Sequence, residues 1–357
     1  MSETRTVKLG DVCEVIMGQA PKGDTYNTEH RGYPLIAGAG DFDKRGGVSV
    51  AKYTTKPTRL SAVGDIILSI RASIGAKVWA DDEYCLGRGV AGLRPTPELD
   101  AQFLWYWLPT VERLLLSKAR GATFIQVNRK DIEDLPIELP SLENQKKFAL
   151  EKHLQFLIEQ KRARQRELLS ELEKSVFHQM FGNPFEKNNE YPRYKLLDLS
   201  LKFNDGPFGS NLKSEHYQTN GIRVIRLQNI GVDEFKNSDK VFISPAHYEK
   251  LKKYTCSPGD IIIATLGNPN LRATEIPSYL HISINKADCI RMRPNLNLVN
   301  KKWLIHLLNS DTTINALSTL FHGQTRSRVS MGQLQNIEIH LPPIDLQNKF
   351  ENITNVK

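Results

Sequence analysis

The chain repeats itself, and the repeat constrains the fold more than any other feature of the sequence. Residues 121–148 and 323–350 align without a gap. Identical pairs are Gly121/Gly323, Thr123/Thr325, Val127/Val329, Ile137/Ile339, Leu139/Leu341, Pro140/Pro342, Gln145/Gln347, Lys147/Lys349 and Phe148/Phe350. Ile132/Leu334, Leu135/Ile337, Leu142/Ile344 and Glu143/Asp345 are conservative. Upstream the match continues with a drifting offset, as insertions in surface loops produce. Lys8-Leu9-Gly10-Asp11-Val12 answers Lys195-Leu196-Leu197-Asp198-Leu199, and Gly64-Asp65-Ile66-Ile67-Leu68 answers Gly259-Asp260-Ile261-Ile262-Ile263. In the second pair a Gly-Asp turn precedes a short apolar strand. Phe103-Leu104 and Leu108 answer Trp303-Leu304 and Leu308 in helix-like amphipathic stretches. Two copies of one α+β domain follow, in a chain whose 357 residues exceed what one core usually organises.

Between the copies, Leu142–Phe181 contains no Pro and no Gly and is rich in strong helix formers. Leu150, Leu154, Leu157, Ile158, Leu168, Leu169, Leu172 and Val176 recur at helical spacing on one face. Ser141 is the expected N-cap and Gly182-Asn183-Pro184 the stop. Roughly 40 residues make a rod of ~60 Å. Such a rod cannot bury its stripe against itself and needs a partner helix. The expected organisation is a first domain over 1–140, a helical spacer of coiled-coil type over 141–183, a second domain over 184–341, and the start of a second helix over 342–357.

Composition narrows the function. The formal net charge of +8 favours an anionic partner. Cys13, Cys85, Cys256 and Cys289 lie far apart, with no C-x-x-C and no histidines at zinc spacing. Buried reduced thiols in a cytoplasmic protein are the expectation. Residues 1–10 are polar, and no apolar run reaches the ~18 residues that span a bilayer. Enzyme signatures fail on inspection. Gly18–Thr25, written GQAPKGDT, has the spacing of a phosphate loop, but Asp24 stands where a lysine must neutralise phosphate. Neither Asn183-Pro184-Phe185 nor Asn268-Pro269-Asn270 completes the Asn-Pro-Pro-aromatic motif of an amino-methyltransferase. Glu234-Phe235-Lys236 fits half of a nuclease signature without the preceding Pro-Asp.

A domain that closes on an Ile-x-Leu-Pro segment and leads into a helix opening Leu142-Glu143-Asn144-Gln145 resembles the specificity subunit of type I restriction-modification enzymes. The resemblance covers nearly the whole chain, and its most specific elements are Ile137-Glu138-Leu139-Pro140 with Gln145-Lys146-Lys147-Phe148, and Ile339-His340-Leu341-Pro342 with Gln347-Asn348-Lys349-Phe350. It implies two target-recognition domains, each reading half of a split double-stranded DNA sequence, and no catalysis in this chain. It further implies two modification (methyltransferase) subunits on the helical part, joined by restriction or translocase subunits. S-adenosylmethionine, ATP and magnesium would belong to those partners. The resemblance also implies a second long helix antiparallel to the first. The segment opening at Ile344 runs only to Lys357, so the expectation is that the second helix is truncated or that another chain, a second copy of this one among the candidates, supplies the partner.

Phosphate contacts give affinity and base-edge contacts give specificity. The loops 121–130 (GATFIQVNRK) and 323–331 (GQTRSRVSM) are equivalent in the repeat yet differ in polar content. Thr123, Gln126, Asn128 and Arg129 stand against Gln324, Arg326, Ser327 and Arg328, as two readers of different sequences require, since Arg suits guanine and Asn or Gln adenine. The alternative is a polar loop that merely faces water. Arg71 and Ser73, and in the second copy Asn268 and Asn270, follow equivalent strands; either loop could be an ordinary turn. Lys44, Arg45, Lys56, Arg59, Lys213, Arg226 and Arg272 are generic phosphate candidates that solvated surface explains equally. The run Lys161-Arg162-Ala163-Arg164-Gln165-Arg166 suits a solvated face or a DNA or partner contact. Tyr26, Tyr33, Trp79, Trp105 and Trp107 are expected in the core. The rival to a DNA reader is a helical scaffold whose basic surface is incidental.

Overall fold

The computed structural model describes residues 5–43, 46–121, 125–267, 269, 271–318 and 328–355. The chain divides into two compact units, Met1–Arg164 and Gln165–Lys357. Each is an α+β unit built on the same plan. In the first unit, the strand Ile66–Ser69 lies in a four-stranded antiparallel sheet between Val90–Pro95 and Lys77–Trp79, with Cys13–Met17 at the far edge. A second sheet joins Tyr26–Asn27, Tyr53–Thr54, Tyr33–Ile36 and Cys85–Leu86. The second unit repeats this arrangement, with Ile261–Ala264 between Cys289–Pro294 and Arg272–Glu275.

The unbroken apolar runs after each Gly-Asp turn have a direct cause. Side chains alternate across a strand, and both faces of these strands are covered. Ile66 and Leu68 pack with the helix residues Phe103 and Leu104, while Ile67 packs with Ile36 and Leu86 of the second sheet. Ile261 and Ile263 likewise join Trp303 and Leu304, and Ile262 turns to Ile225 and Ile230. A strand buried on both faces reads as a continuous hydrophobic run rather than an alternating one.

The aspartate of each turn is buried beneath its strand. Asp65 accepts the Ala62 N–H at 2.8 Å and both arms of Arg94 at 2.9 and 2.8 Å. Asp260 accepts the Ser257 N–H at 2.9 Å and both arms of Arg293 at 2.7 and 3.0 Å. A planar guanidinium matches a carboxylate at two points, so each pair ties a turn to the neighbouring strand.

Each unit also closes on itself. Arg5–Lys8 pairs antiparallel with Pro136–Leu139, and Arg193–Lys195 with Glu338–His340. The next segment is a helix in both cases, and a buried glutamine fastens it. Gln145 accepts the Asp100 N–H at 2.8 Å and donates to the carbonyls of Glu98 and Pro140 at 3.0 and 2.9 Å. Gln347 accepts the Asn300 N–H at 2.8 Å and donates to Leu298 and Pro342 at 3.2 and 2.7 Å. Asp100 and Asn300 then cap the packed helices, accepting the N–H groups of Phe103 and Trp303.

The long helix spans Leu142–Phe181, with Ser141 Oγ accepting the Asn144 N–H at 3.4 Å and Gly182 in the left-handed region at φ 61°. The expectation that it forms a spacer of its own over 141–183 needs revision at both ends. Phe148 and Ala149 pack on the first unit, while Phe177 and Phe181 enter the core of the second against Trp303 and Phe350. Apolar end residues belong to the cores they touch, so the division falls inside the helix. Leu150, Leu154, Ile158, Leu168, Leu169 and Leu172 are exposed, Leu157 is half-buried, and Val176 packs on the second core.

Candidate nucleic-acid interface

The residues singled out in the sequence fall into three groups. Lys44, Arg45, Thr123, Asn268, Asn270, Gln324, Arg326 and Ser327 lie outside the described residues. A second group serves the fold. Asn128 caps the helix Arg129–Glu133 by accepting the Asp131 N–H at 3.0 Å, while Asp131 reaches back to the Asn128 N–H at 2.9 Å. Ser330 and Gln333 repeat this box in the second unit. The Asn128 oxygen closes this helix end, so Asn128 acts as a cap. Arg226 forms a two-armed ion pair with Asp239, and Arg272 donates to the carbonyls of Ile230 and Pro269. Their guanidinium groups hold loops together, which revises their assignment as generic phosphate contacts. Arg129 faces Glu133 at 3.4 Å and Lys213 faces Glu215 at 3.5 Å, both on the surface.

The third group is brought together by the topology. After the central strand the chain of the first unit turns through Arg71, Ala72 and Ser73, with Ala72 at φ 54°. The loop containing Gln126 returns antiparallel to this turn. Arg71 and Gln126 form a bridge, the Val127 N–H donates to the Ile70 carbonyl at 3.1 Å, and Arg71 Nε donates to Gln126 Oε1 at 2.7 Å. The two loops, separate candidates in the sequence, are therefore one surface. Arg71 and Ser73 also line an open cleft of about 390 Å³ together with Tyr26, Gly38 and Arg88. Lys56 and Arg59 are exposed.

Sequence reading missed Arg88. Its signal was the Gly87-Arg88-Gly89 tripeptide. A Cβ on Gly89 would stand 2.2 Å from the Ala37 carbonyl oxygen, and one on Gly87 3.0 Å from that of Ile36. The turn is pressed onto neighbouring backbone and leaves Arg88 exposed at the cleft. Gly18, in the stretch spaced like a phosphate loop, has the same cause: a Cβ there would stand 2.0 Å from the Gly87 carbonyl oxygen.

The second unit keeps the frame and changes the groups. Leu266 and Arg328 form the equivalent bridge, and the Val329 N–H donates to the Thr265 carbonyl at 3.1 Å. Arg328 Nη2 lies 2.7 Å from Asp288 Oδ1, and its guanidinium stands 5.9 Å from the Phe208 ring centre. Asp288 occupies the place of Gly89: the Thr265 N–H donates to its carbonyl at 3.0 Å, as the Ile70 N–H does to Gly89 at 2.9 Å. Its own N–H donates to Asp205 Oδ1 at 3.0 Å. Burial and the nearby Asp288 push the Asp205 carboxyl up to about 6.

Other chemistry is weakly supported. All four cysteines are buried and free, and burial pushes the Cys13 and Cys256 thiols up to about 12 and Cys289 well above the usual range. Thiols so protonated are poor nucleophiles and ligands. Among the described residues no cluster of His, Cys, Asp or Glu could hold a metal ion, and no helix is long and apolar enough to cross a membrane. Phe235 of the half nuclease signature packs against the core of the second unit.

The chain is similar to several known proteins. Residues 1–172 match the type I restriction modification DNA specificity domain. The putative type I restriction enzyme MjaX specificity subunit of Methanocaldococcus jannaschii is 34% identical over 178 residues, which are 48% of this chain and 41% of that one. The type I restriction enzyme MjaVIII specificity subunit of the same organism is 23% identical over 365 residues, 96% of this chain and 83% of that one. The match thus spans less than half of the first relative and most of the second. Among solved structures, the type I restriction-modification S subunit of M. genitalium has the same fold, with a TM-score of 0.55 at 17% identity over 99% of this chain and 88% of that one.

Proposed function

We propose that the chain is a specificity subunit of the type I restriction-modification family, that it recognises a split sequence in double-stranded DNA, one part by each unit, and that it catalyses nothing itself. The observation that carries this is the conserved frame with exchanged polar groups: Arg71 with Gln126 in one unit, Asp288 with Arg328 in the other. A repeat kept only for stability has no reason to vary these polar pairs while keeping Gln145 and Gln347, or Asp65 and Asp260, in equivalent bonds. Two modification subunits and restriction or translocase subunits would dock on the helical part, where exposed Leu150, Leu154, Leu168 and Leu172 supply apolar contact. S-adenosylmethionine, ATP and magnesium would be bound by those partners, and the complex would work in the cytoplasm.

Duplex binding across a salt series tests this function. Cations that neutralise phosphates release condensed counterions, so affinity should fall steeply and linearly on logarithmic axes as salt rises. A helical scaffold with incidental charge would show weak binding without preference among sequences. Failure of the chain, alone and with its modification subunits, to favour any duplex sequence would overturn the proposal.

A further inference from the structure

We infer that the first unit reads an adenine through Gln126 and the second a guanine through Arg328, and that Arg71 and Asp288 are the residues that position them. The inference rests on the proposed DNA function and deepens it to the level of the base.

The two readers occupy one place in the repeat, each in the bridge that follows the central strand. What differs is the group that orients each. Guanidinium only donates, so the 2.7 Å bond from Arg71 Nε forces the oxygen of the Gln126 carboxamide toward Arg71. The exposed edge then presents an NH₂ donor beside an oxygen with one acceptor site still open. That pair matches adenine, whose N7 accepts and whose N6 amino group donates. Guanine offers two acceptors on the same edge and would leave the carboxamide oxygen facing another acceptor.

In the second unit, Leu266 stands where Arg71 stood and has no polar group to offer. Orientation comes instead from the far side of the strand, where Asp288 replaces Gly89. The carboxylate forms an ion pair with Nη2 of Arg328 at 2.7 Å, and the Phe208 ring lies beside the guanidinium. Asp288 is itself fixed, because its N–H is held by Asp205. The remaining donors of Arg328, whose side chain is 46% exposed, match the O6 and N7 acceptors of guanine. The exchange is reciprocal. Where the reader is a carboxamide its holder is a cation, and where the reader is a cation its holder is an anion. A cationic holder would repel a guanidinium reader, and an anionic holder would turn the carboxamide N–H groups toward itself and leave the oxygen facing out.

The test is selection of bound duplexes from a randomised library by the full chain, followed by sequencing. The wild type should give two sequence elements, one containing an invariant adenine and one an invariant guanine, each preferred by roughly ten- to a hundredfold. Gln126→Glu keeps the bond from Arg71 but replaces the donor with an acceptor. It should shift that one position from adenine to cytosine, whose N4 donates. Arg71→Ala should relax the same position and no other. Arg328→Gln and Asp288→Ala should each act on the guanine alone. In every variant the unaltered element reports that the protein is folded. Enrichment in which Gln126→Glu or Arg328→Gln leaves its element unchanged, or changes both elements together, overturns the base assignments while DNA recognition stands. A wild type that enriches no sequence overturns both.

Discussion

Replacing Gln347 by leucine should destabilise the second unit by about 2–7 kcal/mol. The side chain is fully buried and makes one bond as acceptor and two as donor, to Asn300, Leu298 and Pro342. Leucine of similar volume leaves an N–H and two carbonyl oxygens in the interior, each costing about 1–3 kcal/mol when unpaired. Apolar transfer of the new side chain returns about 1–2 kcal/mol. Gln347→Glu gives a sharper reading. One oxygen can still accept from Asn300, but the other faces two carbonyls and is tolerated only when protonated. That variant should therefore approach wild-type stability in acid and lose it as pH rises. Urea unfolding followed by circular dichroism, with segment-resolved hydrogen exchange, locates the effect. Gln347→Leu should lower protection across Lys301–Asn309, and Gln145→Leu across Ala101–Trp107. A loss under about 1 kcal/mol, or one in the wrong unit, would refute the claim that these glutamines fasten each domain to its helix.

Asp260→Ala should cost about 2–4 kcal/mol, because it strands Arg293 and the Ser257 N–H, whereas Asp260→Asn should cost less by keeping an acceptor; urea titration distinguishes them. Burial lowers His306 to about 4, and it packs against Phe177 and Phe350. Between 6.5 and about 4 the unfolded chain binds a proton that the folded chain refuses, so stability should fall as pH drops through that window, by roughly 3 kcal/mol in full. His306→Phe should flatten that acid limb in thermal melts, and an unchanged limb would count against it. Lys56→Ala with Arg59→Ala should reduce the salt slope of DNA binding by roughly one for each phosphate left without its cation, with sequence preference intact. A changed preference would instead make them base readers.

The two-fold repeat, the strands after the Gly-Asp turns and the length of the helix were all legible in the chain before any contact was known. Each is a local pattern: a hydrophobic period, a turn signal, a stretch without Pro or Gly. The repeat also marked Gln145, Gln347, Asp65 and Asp260 as recurrent without saying why. Their long-range partners lie 29 to 49 residues away and are defined only when strands pair and the helix docks. The site was legible as a set of polar residues and not as an arrangement. Arg71 and Gln126 are 55 positions apart and meet because the loop after the packed helix folds back along the central strand. The same closure assigned Asn128 to a helix end, Arg226 and Arg272 to the scaffold, and Arg88 to the cleft. Asp288 gave no signal at all, since a lone aspartate before a strand becomes an orienting group only when Arg328 arrives beside it. Periodicity sets which face of an element is buried, whereas the partner of an exposed polar group depends on contacts between distant segments, which exist only once the chain has folded.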